Sequence, residues 1–174
     1  MKTAIVIPCY KVKDYIDKVI SEIPEFVNNI IIVDDFCPEK TGEYVLSKYG
    51  NNKKIVVMIN EKNLGVGGAT LNGFNKAQEL KNDIFVKVDG DGQMDLKLLN
   101  KFLEPIKNGK ADYTKGNRFL NLNSFSQMPL ARIVGNILLS FLTKLSSGYW
   151  NLFDPTNGYL AIHTKVYSLV KNNK

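Results

Sequence analysis

The chain has 174 residues, enough for one domain with a full hydrophobic core. Hydrophobic residues make up 44% of it and charged residues 23%, a balance typical of soluble globular proteins. The net charge of +6 comes without a Lys/Arg cluster interleaved with aromatic residues, which argues against a nucleic-acid-binding protein and fits a phosphorylated ligand or an anionic membrane surface.

The first half of the chain alternates short β-branched runs with amphipathic helical patterns. Strands are predicted at residues 3–7, 30–33, 54–59 and 84–88, and helices at residues 12–23, 41–49 and 67–80. Continuous apolar strands separated by helices of this length are typical of βαβ units. The pattern therefore predicts an α/β fold with a mostly parallel central sheet flanked by helices.

The second half is predicted to add two strands and three helices to a single domain of residues 1–174. Helices are expected at 96–106, at 129–145 and near the last residues, and strands near 111–115 and 159–163. The helix at 129–145 carries an apolar face formed by Ile133, Ile137, Leu138, Phe141, Leu142 and Leu145. This face is interpreted as part of the core, with contact to a membrane surface or a partner protein as the alternative.

Polar residues gather directly after the predicted strands of the first half. Right-handed crossovers place the carboxyl ends of parallel strands at one edge of the sheet, where open α/β sheets bind their ligands. We therefore expect a single site at this edge. Its candidate residues are Pro8, Cys9, Tyr10, Asp34, Asp35, Asn60, Glu61, Asn63, Gly65, Asp89, Asp91 and Gln93.

The most informative of these segments is the run from Asp89 through Gly90, Asp91 and Gly92 to Gln93. Side chains two positions apart on an extended segment point the same way, so the two carboxylates can converge where the fourth strand ends. Carboxylate oxygens suit Mg²⁺ or Mn²⁺, which usually share their coordination with substrate phosphates. A solvated Asp-Gly turn is the alternative interpretation, because Asp and Gly dominate turns.

The cysteine, histidine and hydropathy patterns bear on the cellular compartment, on a possible zinc site and on membrane segments. Cys9 and Cys37 are expected to be free thiols of a reducing compartment, which predicts a cytoplasmic protein. His163 is the one histidine, too few for a His-based zinc site, and is interpreted as a partly buried residue at a strand end, with a catalytic base as the alternative. Neither a signal peptide nor a transmembrane helix is predicted, while a C-terminal truncation and a lost membrane anchor stay open.

A series of short motifs runs through nearly the whole chain. They are Ile5-Val-Ile-Pro8-Cys-Tyr10, Ile32-Val-Asp34-Asp35, Asn63-Leu-Gly65, Val88-Asp-Gly-Asp91-Gly-Gln93, Lys115-Gly-Asn-Arg118-Phe119, Arg132 with Gly135-Asn136, and Asp154-Pro-Thr-Asn-Gly158-Tyr159. In this order they resemble the family-2 glycosyltransferases of the GT-A type, most closely the dolichyl-phosphate mannose synthases and polyprenyl-phosphate glycosyltransferases. The resemblance implies a GT-A fold and a metal-dependent, inverting hexosyltransferase that uses a nucleotide-sugar donor.

The resemblance also implies roles for individual residues. The predicted donor-binding residues are Pro8, Tyr10, Asp34, Asp35, Asn63, Gly65, Asp89 and Gln93, and the predicted metal ligands are Asp89 and Asp91. The predicted acceptor-phosphate residues are Lys115, Arg118 and Arg132, and the predicted catalytic residues are Asp91, Arg118 and Asp154. The chain departs from the family pattern in the turn 36–41, which bears on base and ribose recognition, and at Leu160, where an Arg is usual.

The acceptor class follows from the charged residues of the second half. A phosphate monoester is largely dianionic near neutral pH and needs cations to position it, whereas a sugar hydroxyl needs a general base. Three cations and a single candidate base, Asp154, favour a polyprenyl (dolichyl-type) phosphate at the cytoplasmic face of a membrane. The alternatives are a transferase that acts on a sugar hydroxyl in surface polysaccharide synthesis and a non-catalytic nucleotide-sugar-binding module. A membrane anchor or a partner protein is left open.

Overall fold

The computed structural model describes residues 1–117, 130–148, 150 and 157–172, with the side chains of 130–134, 136 and 172 outside the description. The strands within these ranges are β1 Thr3–Cys9, β2 Asn29–Asp34, β3 Ile55–Ile59, β4 Ile84–Lys87, β5 Tyr113–Lys115 and β6 Leu160–His163. The α-helices are α1 Lys13–Glu22, α2 Thr41–Tyr49, α3 Gly65–Glu79, α4 Leu99–Lys107, α5 Leu130–Ser147 and α6 Thr164–Asn172. A short 3₁₀ turn, Leu96–Leu98, leads directly into α4.

The strands form one six-stranded sheet in the order β3-β2-β1-β4-β6-β5. β1 pairs in parallel with both β2 and β4, and β2 pairs in parallel with β3. β6 runs antiparallel to β4, with His163 opposite Ile84 and Leu160 opposite Lys87. The predicted α/β fold with a mostly parallel sheet is therefore confirmed, with β6 as an antiparallel strand inside it.

The sheet is covered on both faces because consecutive residues of its central strands are apolar. Ile5 and Ile7 point into a cluster shared with α1 and α4, whereas Ala4 and Val6 point into a second cluster shared with α3 and α6. Nearly every residue of β1, β2 and β4 thus buries a side chain on one side or the other, as expected for a parallel sheet between helices. This arrangement fixes the strand ends that carry the candidate site residues.

β1 extends two residues beyond its predicted end, through a proline. Asp35 donates its N–H to the carbonyl of Cys9 on the β2 side, and Val88 donates to the carbonyl of Val6 on the β4 side. The backbone of Pro8 therefore faces β4, where the paired register ends at Lys87. Because proline has no N–H to donate, the ladder with β4 ends here, while the pairing with β2 continues through Cys9.

Helix α3 lies unusually close to the sheet at Gly73. A Cβ placed on this residue would lie 2.2 Å from Cγ1 of Val6 and 3.0 Å from Cγ2 of Val33. Only a residue without a side chain allows this approach. The contact holds α3 against β1 and β2, and so determines where its first turn lies relative to the strand ends.

The chain divides into two compact units, one formed by Met1–Thr114 with Tyr159–Lys174 and the other by Lys115–Gly158. The prediction of a single domain stays a prediction. Helix α5 belongs to the second unit, where Ile137, Phe141 and Leu145 are 58%, 51% and 64% exposed. The core interpretation of this helical face is therefore wrong for these residues. Within the described part of the chain, none of the helices has the length and hydropathy that crossing a membrane requires.

Candidate active site

The carboxyl ends of β1, β2 and β4 and the start of α3 surround a cavity of about 370 Å³. Its lining residues are Pro8, Cys9, Tyr10, Val12, Asp35, Asn63, Gly65, Val66, Asp89, Gly90 and Asp91. All of them belong to the first compact unit. The edge of the sheet predicted from the strand pattern thus carries a concave site lined by three acids, Asp35, Asp89 and Asp91, together with apolar residues.

The two acids after β4 line the same cavity in different surroundings. Asp91 is exposed, and its Oδ1 accepts the backbone N–H of Gln93 at 3.1 Å. Asp89 is half-buried, and its Oδ1 accepts a hydrogen bond from the ammonium of the buried Lys87. The residue between the acids, Gly90, is buried, and a Cβ there would lie 2.9 Å from Cγ2 of Val12. Close packing of the Gly90 backbone therefore helps to fix where both carboxylates project.

The two acids after β2 have different partners. Asp35 lines the cavity, and its Oδ1 accepts the side-chain amide of Asn60 at 2.8 Å and the N–H of Leu64 at 2.9 Å. This carboxylate fixes the loop that leads into α3. Asp34 is buried, and its carboxylate accepts the N–H of Cys37 at 2.7 Å and of Gly42 at 2.6 Å. Asp34 thereby organises the turn between β2 and α2.

That turn borders a second cavity of about 430 Å³, which shares Tyr10 with the first. Its lining residues are Tyr10, Asp34, Phe36, Cys37, Pro38, Lys40, Glu43 and Ile59. Phe36 and Lys40 have φ values of 55° and 52°, a left-handed conformation that most residues avoid. Tyr10 is 46% exposed and lines both cavities.

Both cysteines are free thiols, as predicted, and both are buried, but their surroundings differ. Burial, together with the negative charges of Asp34 and Cys37, raises the pKa of the Cys9 thiol well above its usual range. Burial also acts to raise the pKa of Cys37, but hydrogen bonds from Thr41 and from neighbouring backbone N–H groups outweigh it and hold that pKa below its usual value. One of these N–H groups belongs to Lys11 and lies 3.1 Å from Sγ, so the thiol joins the turn after β1 to the turn after β2.

A sequence profile described as Glycosyl transferase family 2 matches residues 4–169 of the chain. The chain belongs to this family. The UDP-N-acetylglucosamine–dolichyl-phosphate N-acetylglucosaminyltransferase of Methanococcus voltae is 36% identical over 161 residues, which cover 84% of this chain and 63% of that protein. The dolichol-phosphate mannosyltransferase of Pyrococcus furiosus is 26% identical over 99% of this chain and 49% of its own length. The family-2 chain thus spans about half to two thirds of the length of these curated relatives.

A solved structure shares the fold of this family-2 chain at low sequence identity. The mannosyltransferase of Pyrobaculum calidifontis, solved in complex with GDP-Man and Mn²⁺, superposes with a TM-score of 0.63 at 13% identity, over 97% of this chain and 46% of its own. The resemblance to the family-2 glycosyltransferases and the predicted GT-A fold are both confirmed.

Most of the donor-binding residues predicted for this family-2 domain lie together. Those that line the first cavity are Pro8, Tyr10, Asp35, Asn63, Gly65 and Asp89, and the predicted metal ligand Asp91 lines it as well. Asp34 lines the second cavity instead, and the Gln93 side chain is exposed while its N–H holds Asp91. The individual roles of these residues stay predictions.

The predicted acceptor and base residues are less fully described. Arg118 and Asp154 lie outside the described residues, as does the side chain of Arg132 on α5. Lys115 ends β5 and belongs to the second unit. His163 is half-buried at the end of β6, as predicted, and its Nδ1 accepts the N–H of Lys165 at 3.1 Å.

One residue of the site was not predicted from the sequence. Lys87 lies in a buried strand two positions before Asp89, and the structure pairs the two side chains. A lysine within an apolar strand was a usable signal, since lysine is rarely buried without an acidic partner. The alternation of strand side chains would have placed that partner at position 89.

Proposed function

We propose that this domain is a metal-dependent, inverting glycosyltransferase that moves a sugar from a nucleotide-sugar donor to a polyprenyl phosphate. The observation that carries the proposal is the meeting of Asp89, Asp91 and Asp35 around one cavity beside the first turn of α3. Family membership and the names of the two curated relatives support the reaction class and the lipid-phosphate acceptor.

The carboxylates of Asp89 and Asp91 fit a divalent cation that shares its coordination with a diphosphate. No group of three His, Cys, Asp or Glu side chains in the described ranges is arranged to hold a metal ion by itself. Two carboxylates at the rim of a cavity are the usual protein share of an Mg²⁺ or Mn²⁺ site completed by substrate phosphates. Asp91, with Asp89 beside it, would hold the cation, which supplies positive charge to the departing nucleoside diphosphate.

The remaining groups of the cavity bind and orient the donor. Gly65 and Val66 open α3 at the cavity, and backbone N–H groups at a helix N-terminus favour an anion such as a diphosphate. The exposed ring of Tyr10 offers a flat apolar surface to the nucleobase. Asp35 is held by Asn60 and Leu64, so its carboxylate keeps one orientation toward the nucleoside.

A lipid-phosphate acceptor agrees with the second unit taken by itself. Helix α5 exposes the apolar side chains of Ile137, Phe141 and Leu145, which suit a lipid surface better than water. Lys115, Arg118 and Arg132 are proposed to position the acceptor phosphate, whose charge makes a general base unnecessary. The domain would then act peripherally, at the cytoplasmic face of a membrane.

Two measurements test this function. A thermal-shift screen of UDP-, GDP-, CDP- and dTDP-sugars, with and without Mn²⁺, should identify one nucleotide whose stabilising effect requires the metal. Transfer of the matching sugar should then occur to polyprenyl phosphate and not to free oligosaccharides, with inverted anomeric configuration in the product by NMR. Transfer to a sugar hydroxyl, lost in Asp154→Asn, would favour the polysaccharide alternative. Metal-dependent binding without transfer or donor hydrolysis would favour a binding module.

A further inference from the structure

The last residue of β4 is a lysine buried in the central sheet. Lys87 is 6% exposed, and its neighbours on the adjoining strands are Val6 of β1 and Leu160 of β6, both apolar. A charged lysine in such surroundings requires an acidic partner. The carboxylate of Asp89 is that partner, through an ion pair between Nζ and Oδ1.

The pair directs a fixed positive charge toward the donor cavity. Lys87 and Asp89 are two positions apart and project from the same face of the strand, the face that carries α3. Asp89 lines the cavity together with Gly65 at the start of α3. The ammonium of Lys87 therefore lies next to the place where a donor diphosphate and its cation would bind.

Lys87 changes the net charge that the acids after β4 present to the cavity. Asp89 and Asp91 line the cavity after β4, and Asp35 lines it after β2, where its carboxylate accepts hydrogen bonds from Asn60 and Leu64. Because Lys87 compensates Asp89, this pair of acids offers one uncompensated negative charge instead of two. A divalent cation is attracted less strongly by such a pair, whereas a polyanion is repelled less.

We propose that Lys87 is a positioning residue that prevents the acid pair from holding a divalent cation alone, so that the cation and the donor diphosphate bind together. The inference rests on the proposed function, since it assumes that a nucleotide diphosphate and a divalent cation occupy this cavity. Its consequence is a strong mutual dependence: each of the two ligands raises the affinity for the other by the same factor.

Replacing Lys87 by a neutral residue should raise the affinity for Mn²⁺ alone and lower the affinity for the nucleoside diphosphate alone. In Lys87→Met, the affinity for Mn²⁺ alone should rise by roughly tenfold, the effect of about 1.4 kcal/mol. The rise is expected because the substitution removes a positive charge that repels the cation. The affinity for UDP or GDP in the presence of a chelator should fall. A general loss of structure would instead weaken both.

The experiment uses the full chain and two direct binding readouts. Binding of Mn²⁺ alone is followed by the loss of the EPR signal of the free ion, and binding of UDP or GDP without metal by calorimetry. Lys87→Arg should restore wild-type values, because it keeps the charge. Lys76→Met is the matched control, since it removes one lysine of an exposed pair with Glu79 near the far end of α3. Lys87→Gln serves as a second neutral variant should the Met variant fold poorly.

Opposite shifts in Lys87→Met, absent from the Arg and Lys76 variants, would support the proposal. Unchanged Mn²⁺ affinity, or weakening of both ligands, in a folded neutral variant would overturn it and leave the proposed function standing. The wild-type chain gives an independent test: Mn²⁺ should bind at least a hundredfold more tightly with the nucleotide than without it, and equal affinities would also overturn the proposal. A wild-type chain that binds neither ligand would overturn both proposals.

Discussion

Replacing Gly73 by Ala tests the contact that holds α3 against the sheet. The added methyl group would lie 2.2 Å from Cγ1 of Val6. An ordinary carbon–carbon contact is about 3.5 Å, so the helix or the strand would have to move by about 1.3 Å. The added methyl group would also lie 3.0 Å from Cγ2 of Val33 on β2, so a movement that relieves the contact with Val6 must also avoid Val33.

The expected change in stability combines two opposing effects. Overpacking in a close-packed core lowers the free energy of unfolding by about 1–3 kcal/mol. Ala in place of Gly inside a helix raises it by up to about 1 kcal/mol. We expect a net loss of about 1–2 kcal/mol, or a fall in Tm of roughly 2–8 °C for a chain of this size. Because the first turn of α3 lines the donor cavity, nucleoside diphosphate affinity should fall as well.

Urea unfolding of four variants separates the contact from the intrinsic helix effect. Gly67→Ala is the matched control, since a Cβ there has open space around it and should stabilise the chain by about 0.5–1 kcal/mol. In a Val6→Ala background the clash is relieved, so Gly73→Ala should cost at least about 1 kcal/mol less than in the wild type. Equal costs in both backgrounds, or stabilisation by Gly73→Ala alone, would refute the reasoning.

Two further predictions concern charge and stacking. Burial acts to raise the pKa of Asp17, but hydrogen bonds donated by Lys48, Tyr44 and Tyr49 outweigh it and lower that pKa. A carboxyl with a lowered pKa in the folded state stabilises the fold above its unfolded pKa and loses this contribution as the pH falls through the folded value. Asp17→Asn should therefore lower the urea midpoint at pH 7 and have a decreasing effect below about pH 4, and a pH-independent difference would contradict the assignment. Tyr10→Ala should weaken nucleoside diphosphate binding by about 1–3 kcal/mol if the ring stacks on the base, measured by calorimetry against Tyr15→Ala on α1; equal effects of the two would argue against stacking.

The location of the site could be predicted from the sequence because it follows from strand order and from the ends of apolar runs. Continuous β-branched strands implied parallel neighbours, and parallel neighbours end at one edge. This arrangement of strand ends brings together at the first cavity the residues Asp35, Asn63, Asp89 and Asp91. The end of β1 was predicted two residues too early, because the sequence does not show that the backbone of Pro8 faces β4, which leaves the pairing of β1 with β2 intact through Cys9.

Other features depend on tertiary contacts that no local pattern reveals. Asp34 and Asp35 are adjacent, yet one organises the turn before α2 and the other holds the loop before α3. The apolar face of α5 has the spacing of a core helix, but periodicity reports only that a face is apolar and not what covers it. The pairing of Lys87 with Asp89, by contrast, could have been predicted from a lysine in an apolar strand and from the alternation of strand side chains.

The central claim is that Asp91 holds a cation shared with the donor diphosphate. Its most direct test is calorimetric titration of Mn²⁺ into the chain saturated with the nucleoside diphosphate selected by the thermal-shift screen. The wild type and Asp14→Ala, which removes an acid from the first turn of α1, should bind Mn²⁺ alike. Asp91→Ala should remain folded and lose Mn²⁺ binding by at least a hundredfold. An Asp91→Ala variant that binds Mn²⁺ as tightly as the wild type would contradict the assigned site.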